Sequence, residues 1–183
     1  MKFPDRRRTL RQRTAAAHAA LETHVGPFVS RSAYVRYCRG LHGFRASLEP
    51  ALDIFARGGT CGEWRPVTIA GELTADLADL NARSVAPLHI AFTSADEAIG
   101  GFYVLEGSAL GARLLITQAT TLGFTEWNGA RHLARQAATL ANWRGFLDML
   151  ESLPHLDMER AVAGASIAFE AAASAMARAC FDG

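Results

Sequence analysis

The hydrophobic positions of this chain fall at helical spacing, in stripes separated by glycine and proline. The first stripe, from about Asp5 to Val25, sets Leu10, Thr14, Ala17, His18, Leu21 and Val25 on one side. A second begins at Ser30 or Ser32, either of which can accept a free N–H of the first turn, and ends before Gly58-Gly59. Gly58 to Pro66 reads as a loop, and Leu73, Leu77 and Leu80 mark a short helix over about Ala70 to Leu80. After a connection broken by Pro87, Ser94 and Glu97 form a capping-box pattern. It opens a long helix to about Leu122, closed by Gly123. Another helix covers roughly Gly129 to Leu153 and stops at Pro154, and the last runs from a cap at Asp157 to about Phe181. No segment alternates with the period of a strand. The pattern predicts an all-α, bundle-like fold in one domain spanning residues 1–183.

Composition narrows the class. Half of the residues are hydrophobic and a fifth are charged, as in an ordinary globular protein, and the formal net charge is +1. So even a balance gives no support to nucleic acid or a membrane surface as partner. The local run Arg6-Arg7-Arg8 with Arg11 and Arg13 reads as a solvated helix face. The N-terminus lacks a signal-like apolar stretch of about 7–15 residues. No segment approaches the roughly 18 uninterrupted apolar residues of a membrane span, and the richest, Ala161 to Ala177, carries Glu170. Cys38, Cys61 and Cys180 match neither a disulfide framework nor a CxxC site, so a reducing cytoplasm is the expected setting.

Two features exceed what a plain bundle needs. His18 shares the core-facing side of the first helix with Leu10, Thr14 and Leu21. A core histidine satisfied by one hydrogen bond would explain the position alone. However, Ala15, Ala16, Ala17, Ala19 and Ala20 leave room for something large around the ring, and Glu22 stands one turn away. A carboxylate there can orient a metal-binding imidazole through its second nitrogen. The other feature is the long helix, which contains Gly100, Gly101, Gly107 and Gly111. Each interior glycine costs about 1 kcal/mol relative to alanine. Gly107 and Gly111 share a face with Ser108 and Ala112 beside them; either another helix packs there, or backbone approaches a flat ligand. Glu-x-x-His pairs, HExxH, GxSxG and GxxxxGK[ST] are all absent. Trp143 and Phe146 read as core.

Leu10-Arg11-x-x-Thr14-x-x-x-His18-x-x-Leu21-Glu22 resembles the proximal-helix motif of bacterial heme oxygenases, and Tyr103-Val-Leu-Glu106-Gly107-Ser108-Ala109-Leu110-Gly111-Ala112 resembles their distal-helix motif. Gly129-Ala-x-His132-Leu133 and Trp143-x-x-Phe146-x-x-x-Leu150 are weaker echoes. The resemblance spans nearly the whole chain. It implies that His18 is the axial ligand of heme iron, with Glu22 as its partner. It further implies that Gly107, Ser108, Gly111 and Ala112 form the backbone wall on the oxygen side, and that Arg11 and Tyr103 stand near the heme propionates. The implied activity is oxidative opening of heme by O2 and supplied electrons to biliverdin, carbon monoxide and ferrous iron. The electrons would come from a donor such as ferredoxin, flavodoxin or a reductase. Ala109 stands where a common family pattern has Asn, Thr117 where it has a basic residue, and Ser108 where some members carry aspartate. A non-catalytic heme-binding protein of the same fold and a heme-independent helical binding module remain the alternative readings.

Overall fold

The computed structural model describes residues 5–181; residues 1–4 and 182–183, and with them the outer limits of the expected domain, lie outside the described residues. The elements are α1 (Arg6–Arg13), α2 (Ala15–Val25), α3 (Arg31–Arg57), α4 (Ala70–Asp79), α5 (Ala95–Gly107), a 3-10 turn (Ser108–Gly111), α6 (Ala112–Thr121), α7 (Arg131–Ala138), α8 (Leu140–Ser152) and α9 (Met158–Phe181). Among the described residues the only bridge pairs are isolated ones, Thr125 with Asn128 and Gly129. The fold is all-α, as the hydrophobic spacing predicts.

Local chemistry sets the starts of α3, α5 and α9. The Ser30 hydroxyl accepts from Ala33 N at 3.2 Å, and Asp157 accepts from Glu159 N at 3.0 Å and Arg160 N at 3.2 Å. Ser94 accepts from Glu97 N at 3.2 Å, but the Glu97 carboxylate takes Thr93 N at 2.7 Å, one residue earlier than a capping box places it.

Three expected helices are broken, at Thr14, at Ser108 and at Thr139. Each break falls on a hydroxyl that donates back to the preceding turn: Thr14 to Leu10 O (2.8 Å), Ser108 to Leu105 O (2.7 Å) and Thr139 to Arg135 O (2.9 Å). Ser47 makes the same bond to Gly43 O inside an unbroken α3. The hydroxyl therefore permits a break without forcing one.

Helix α9 is the central element. Its inner face is alanine (Ala161, Ala165, Ala168, Ala172, Ala175, all buried), which lets α2, α3 and α5 pack closely along it. At the α5–α9 crossing, Gly100 lies on the backbone of Ala161 and Ala165, and Gly164 on Glu97. A Cβ at either glycine would overlap backbone atoms. Taken together, Ala95–Thr121 is long and apolar enough to cross a membrane by length and composition, with mean hydropathy 1.3, against the sequence expectation. Half of that window is buried within the fold, which accounts for its apolar character.

Candidate functional site

His18 is on α2, and 59% of its side chain is exposed. That corrects the expectation that it faces the core. The break at Thr14 ends the buried stripe of α1, where Leu10 is fully buried and Thr14 nearly so. Beyond it no residue of α2 is buried; Ala17, Leu21 and Val25 rest half-buried, and Ala15, Ala16, Ala19 and Ala20 are exposed. The imidazole meets the edge of Phe169 of α9 at 6.0 Å between centroids, and its Nδ1 stands 3.5 Å from Glu22 Oε1.

The glycines of the long helix divide into two kinds. Gly100 and Gly101 are packing glycines, pressed by α9 and by Phe92 and Leu52. Gly107 and Gly111 are not. A Cβ at Gly107 would meet only the Trp143 ring at 3.8 Å, and one at Gly111 only the Leu115 side chain at 4.0 Å. Beside them Leu110 and Leu114 are 54% and 68% exposed. This stretch therefore presents bare backbone and uncovered apolar side chains. Ser108 and Ala112 do not contribute side chains to that open face, because the Ser108 hydroxyl bonds inward to Leu105 O and Ala112 is fully buried. Both α2 and α5 pack along α9, and Phe28 N donates to Gln118 Oε1 of α6 at 2.8 Å, tying the segment after α2 to α6.

Tyr103 of α5 packs half-buried on Trp143, 5.6 Å between centroids. Burial raises its phenol above the ordinary value, and the positive charges of Arg7 and Arg11 oppose the rise. Both arginines therefore lie within electrostatic reach of Tyr103, one turn apart on α1. Arg7 was not singled out by the sequence, although its i, i+4 relation to Arg11 was a usable signal. The N-terminal basic run is only partly a solvated face. Arg6 is buried and donates to Leu150 O at 2.7 Å, and Arg13 pairs with Glu159 at 2.6 Å.

Behind the distal turn lies a buried polar cluster that the sequence did not announce. Arg45 and Glu49 of α3, Glu106 of α5 and Gln136 of α7 are all buried. Arg45 Nε donates to Glu49 at 2.8 Å, and Glu106 accepts from Val67 N at 2.7 Å. Burial pushes the Glu106 carboxyl up, opposed by its hydrogen bonds and by Arg45. Next to this cluster His132 and Asp76, both fully buried, share a 2.7 Å bond, and Asp76 also accepts His132 N and Arg131 N at 3.0 Å each. Burial holds His132 low and works to raise Asp76, which its hydrogen bonds nonetheless keep low. Nδ1 therefore carries the proton toward the carboxylate, and Nε2 is buried without a partner.

The donor set constrains the chemistry. Among the described residues no group of three or more His, Cys, Asp or Glu side chains is placed to hold a metal ion. A metal bound through His18 must bring its other ligands with it, as porphyrin iron does. The bare glycine turn flanked by Leu110 and Leu114 offers a flat apolar surface, and Arg7 and Arg11 bring positive charge toward Tyr103. A separate surface recess of about 620 Å3, lined by Arg31, Val35, Arg36, Arg39, Ala179 and Cys180, contains none of these residues.

No family model matches the chain. Heme oxygenase PigA of Pseudomonas aeruginosa is 32% identical over 166 residues, covering 85% of this chain and 83% of that protein. The NO- and CO-bound heme oxygenase of Neisseria meningitidis superposes with a TM-score of 0.76 at 27% identity, over 93% of this chain and 89% of the other.

Proposed function

This chain belongs to the bacterial heme oxygenase family, and we propose from that premise how its own residues serve the oxidative opening of heme. Heme is the substrate, and its iron supplies the redox chemistry with O2. Two observations carry the assignment of residues: an exposed imidazole on α2, a helix with no buried residue, and the uncovered Gly107–Gly111 backbone at the end of α5, with α2 and α5 both packed along α9.

His18 is the axial ligand. Its Nδ1 lies on the Glu22 side, so Nε2 is the nitrogen left to face iron, and Glu22 orients the ring and favours the Nδ1–H tautomer. Phe169 limits the ring's rotation from behind. On the opposite side Gly107 and Gly111 admit the ring plane to backbone contact, which any larger side chain would prevent, while Leu110 and Leu114 exclude water from it. Ser108 and Ala112 belong to this wall through their backbone. Arg11, joined by Arg7 and the Tyr103 hydroxyl, holds the propionates and sets how the ring is rotated. The electrons come from a soluble donor such as ferredoxin, flavodoxin or a reductase, and free thiols at Cys38, Cys61 and Cys180 suit a reducing cytoplasm.

Hemin titrated into the purified protein, followed by a reductant under air, tests the reading. The expected result is one heme per chain, an iron–histidine stretch in the resonance Raman spectrum of the ferrous complex, and formation of biliverdin and carbon monoxide. His18→Ala abolishes that stretch and the turnover. An iron–histidine stretch unchanged in His18→Ala overturns the assignment.

A further inference from the structure

The distal turn is anchored from behind by side chains that never reach its open face. Arg45 is 1% exposed, and its guanidinium is spent in four directions. Nε donates to Glu49 at 2.8 Å and Nη2 to Val67 O at 2.7 Å, while Nη1 reaches Leu105 O at 3.0 Å and Ser108 Oγ at 3.4 Å. Glu49 in turn accepts Ile69 N at 2.8 Å and Ala70 N at 3.3 Å. The plane of Arg45 is thereby fixed to α3, to the segment entering α4 and to the last turn of α5.

Gln136, 3% exposed, approaches from α7, and its Nε2 donates to Ser108 Oγ at 3.0 Å. One turn earlier on the same face, His132 is locked to Asp76 through both its backbone N–H and its ring. Helix α7 therefore cannot roll about its axis without breaking a buried bond. Ser108 Oγ donates to Leu105 O and accepts from Gln136 and Arg45. A hydroxyl has one proton and two lone pairs, and all are engaged. Its direction is fixed inward. Ala109, also buried, borders the same spot with only a methyl, so the polar groups meeting Ser108 come from other helices.

We propose that Arg45 and Gln136 are positioning residues for the distal turn: by holding the Leu105 carbonyl and the Ser108 hydroxyl from the core side, they fix where the Gly107–Gly111 backbone stands over the heme face. This rests on the placement of heme between His18 and that turn. A backbone wall acts only as well as it is placed, because an ångström of misplacement is enough to spoil contact with a reacting group. Ser108 thus serves as the fastening point, and not as a hydroxyl offered to the ligand.

Gln136→Met keeps the length and removes the donor, whereas replacing Arg45 leaves Glu49 buried without its partner and endangers folding. Two measurements on Gln136→Met decide the matter. In the apo-protein, amide hydrogen exchange across residues 107–112 is expected to rise about fivefold, the value of one net hydrogen bond, with α9 unchanged. In the heme complex, the C–O stretching frequency of the ferrous carbon monoxide adduct is expected to shift from wild type. Exchange that rises evenly along the chain or not at all, or an unchanged C–O frequency, overturns the proposal. If the wild-type protein takes up no hemin, the site reading fails by itself. The exchange measurement then still decides whether Gln136 pins the turn.

Discussion

Alanine placed at Gly100 and at Gly107 should move stability in opposite directions, although both glycines belong to α5. At Gly100 the new Cβ meets the Ala161 carbonyl and the Ala165 amide, backbone atoms of α9 that have no rotamer to escape into. Two packed helices must separate, and overpacking of this kind costs about 1–3 kcal/mol. In a chain of this size that lowers Tm by about 2–12 °C. At Gly107 the nearest atoms are Trp143 ring carbons at 3.8 Å, ordinary contact distance. Relief of the glycine helix penalty there contributes up to about 1 kcal/mol, or about 2–4 °C. Leucine at Gly107 or Gly111 is the sharper test. It projects onto the open face, so the apo-protein should melt within about 3 °C of wild type, while heme affinity falls at least about tenfold. Circular dichroism melts of the apo-variants, set beside hemin titrations, read both quantities. Gly107→Leu melting like Gly100→Ala, with the folded protein binding hemin normally, would refute the division of the glycines into two kinds.

Two further outcomes follow from the titratable pairs. Glu22→Ala should leave heme bound but shift the iron–histidine stretch, and because the pair is 3.5 Å apart and mostly exposed, the affinity change should stay near the low end of the usual range of about 10–100-fold; identical spectra and affinity would make Glu22 an ordinary surface residue. His132 is held below its ordinary 6.5 by burial, so the unfolded chain takes up a proton near that pH that the folded chain refuses. Apo-stability should thus be full above about pH 6.5 and fall below it by up to about 1.4 kcal/mol per pH unit, with Asp76, also held low, adding its loss only below about pH 4. Melts from pH 8 to 5 check this; His132→Asn, which keeps a donor toward Asp76, should reduce the slope to the part left by His42, which burial also holds low, and a flat wild-type profile refutes it.

What the sequence made legible was local. Ser30, Asp157 and Gly58 mark helix ends because caps and glycines act on their own turn, and the structure places the ends there. The breaks at Thr14, Ser108 and Thr139 were hidden, since the residues on both sides form helix readily; at Ser108 the turn is held by a bond from another helix, from Arg45 to Leu105 O. His18 was identified as unusual, but its exposure was misjudged because a straight helix through Thr14 would carry Leu10's buried face onto it. Arg45 was not singled out in the sequence. Its place on the stripe of Leu41, Leu48 and Leu52 was the signal that it is buried. Gln136 gave the same signal, beside His132 and Leu133 on α7. In both, a polar residue on an apolar stripe meant a partner supplied by another element, and one sequence does not say which.

A helix with no buried residue is held lightly by the rest of the fold. Helix α2 rests on α9 through half-buried Ala17, Leu21 and Val25 and an edge contact of the His18 ring. Its intrinsic stability therefore sits at the low end of the fold, where opening is cheap. On the proposed reading, heme held through His18 would add its own binding free energy to the docked form of α2, in proportion to the logarithm of its concentration over Kd. Turnover would consume that ligand. The event that completes the chemistry would thus withdraw that support from α2, loosening the site at the moment its product must leave.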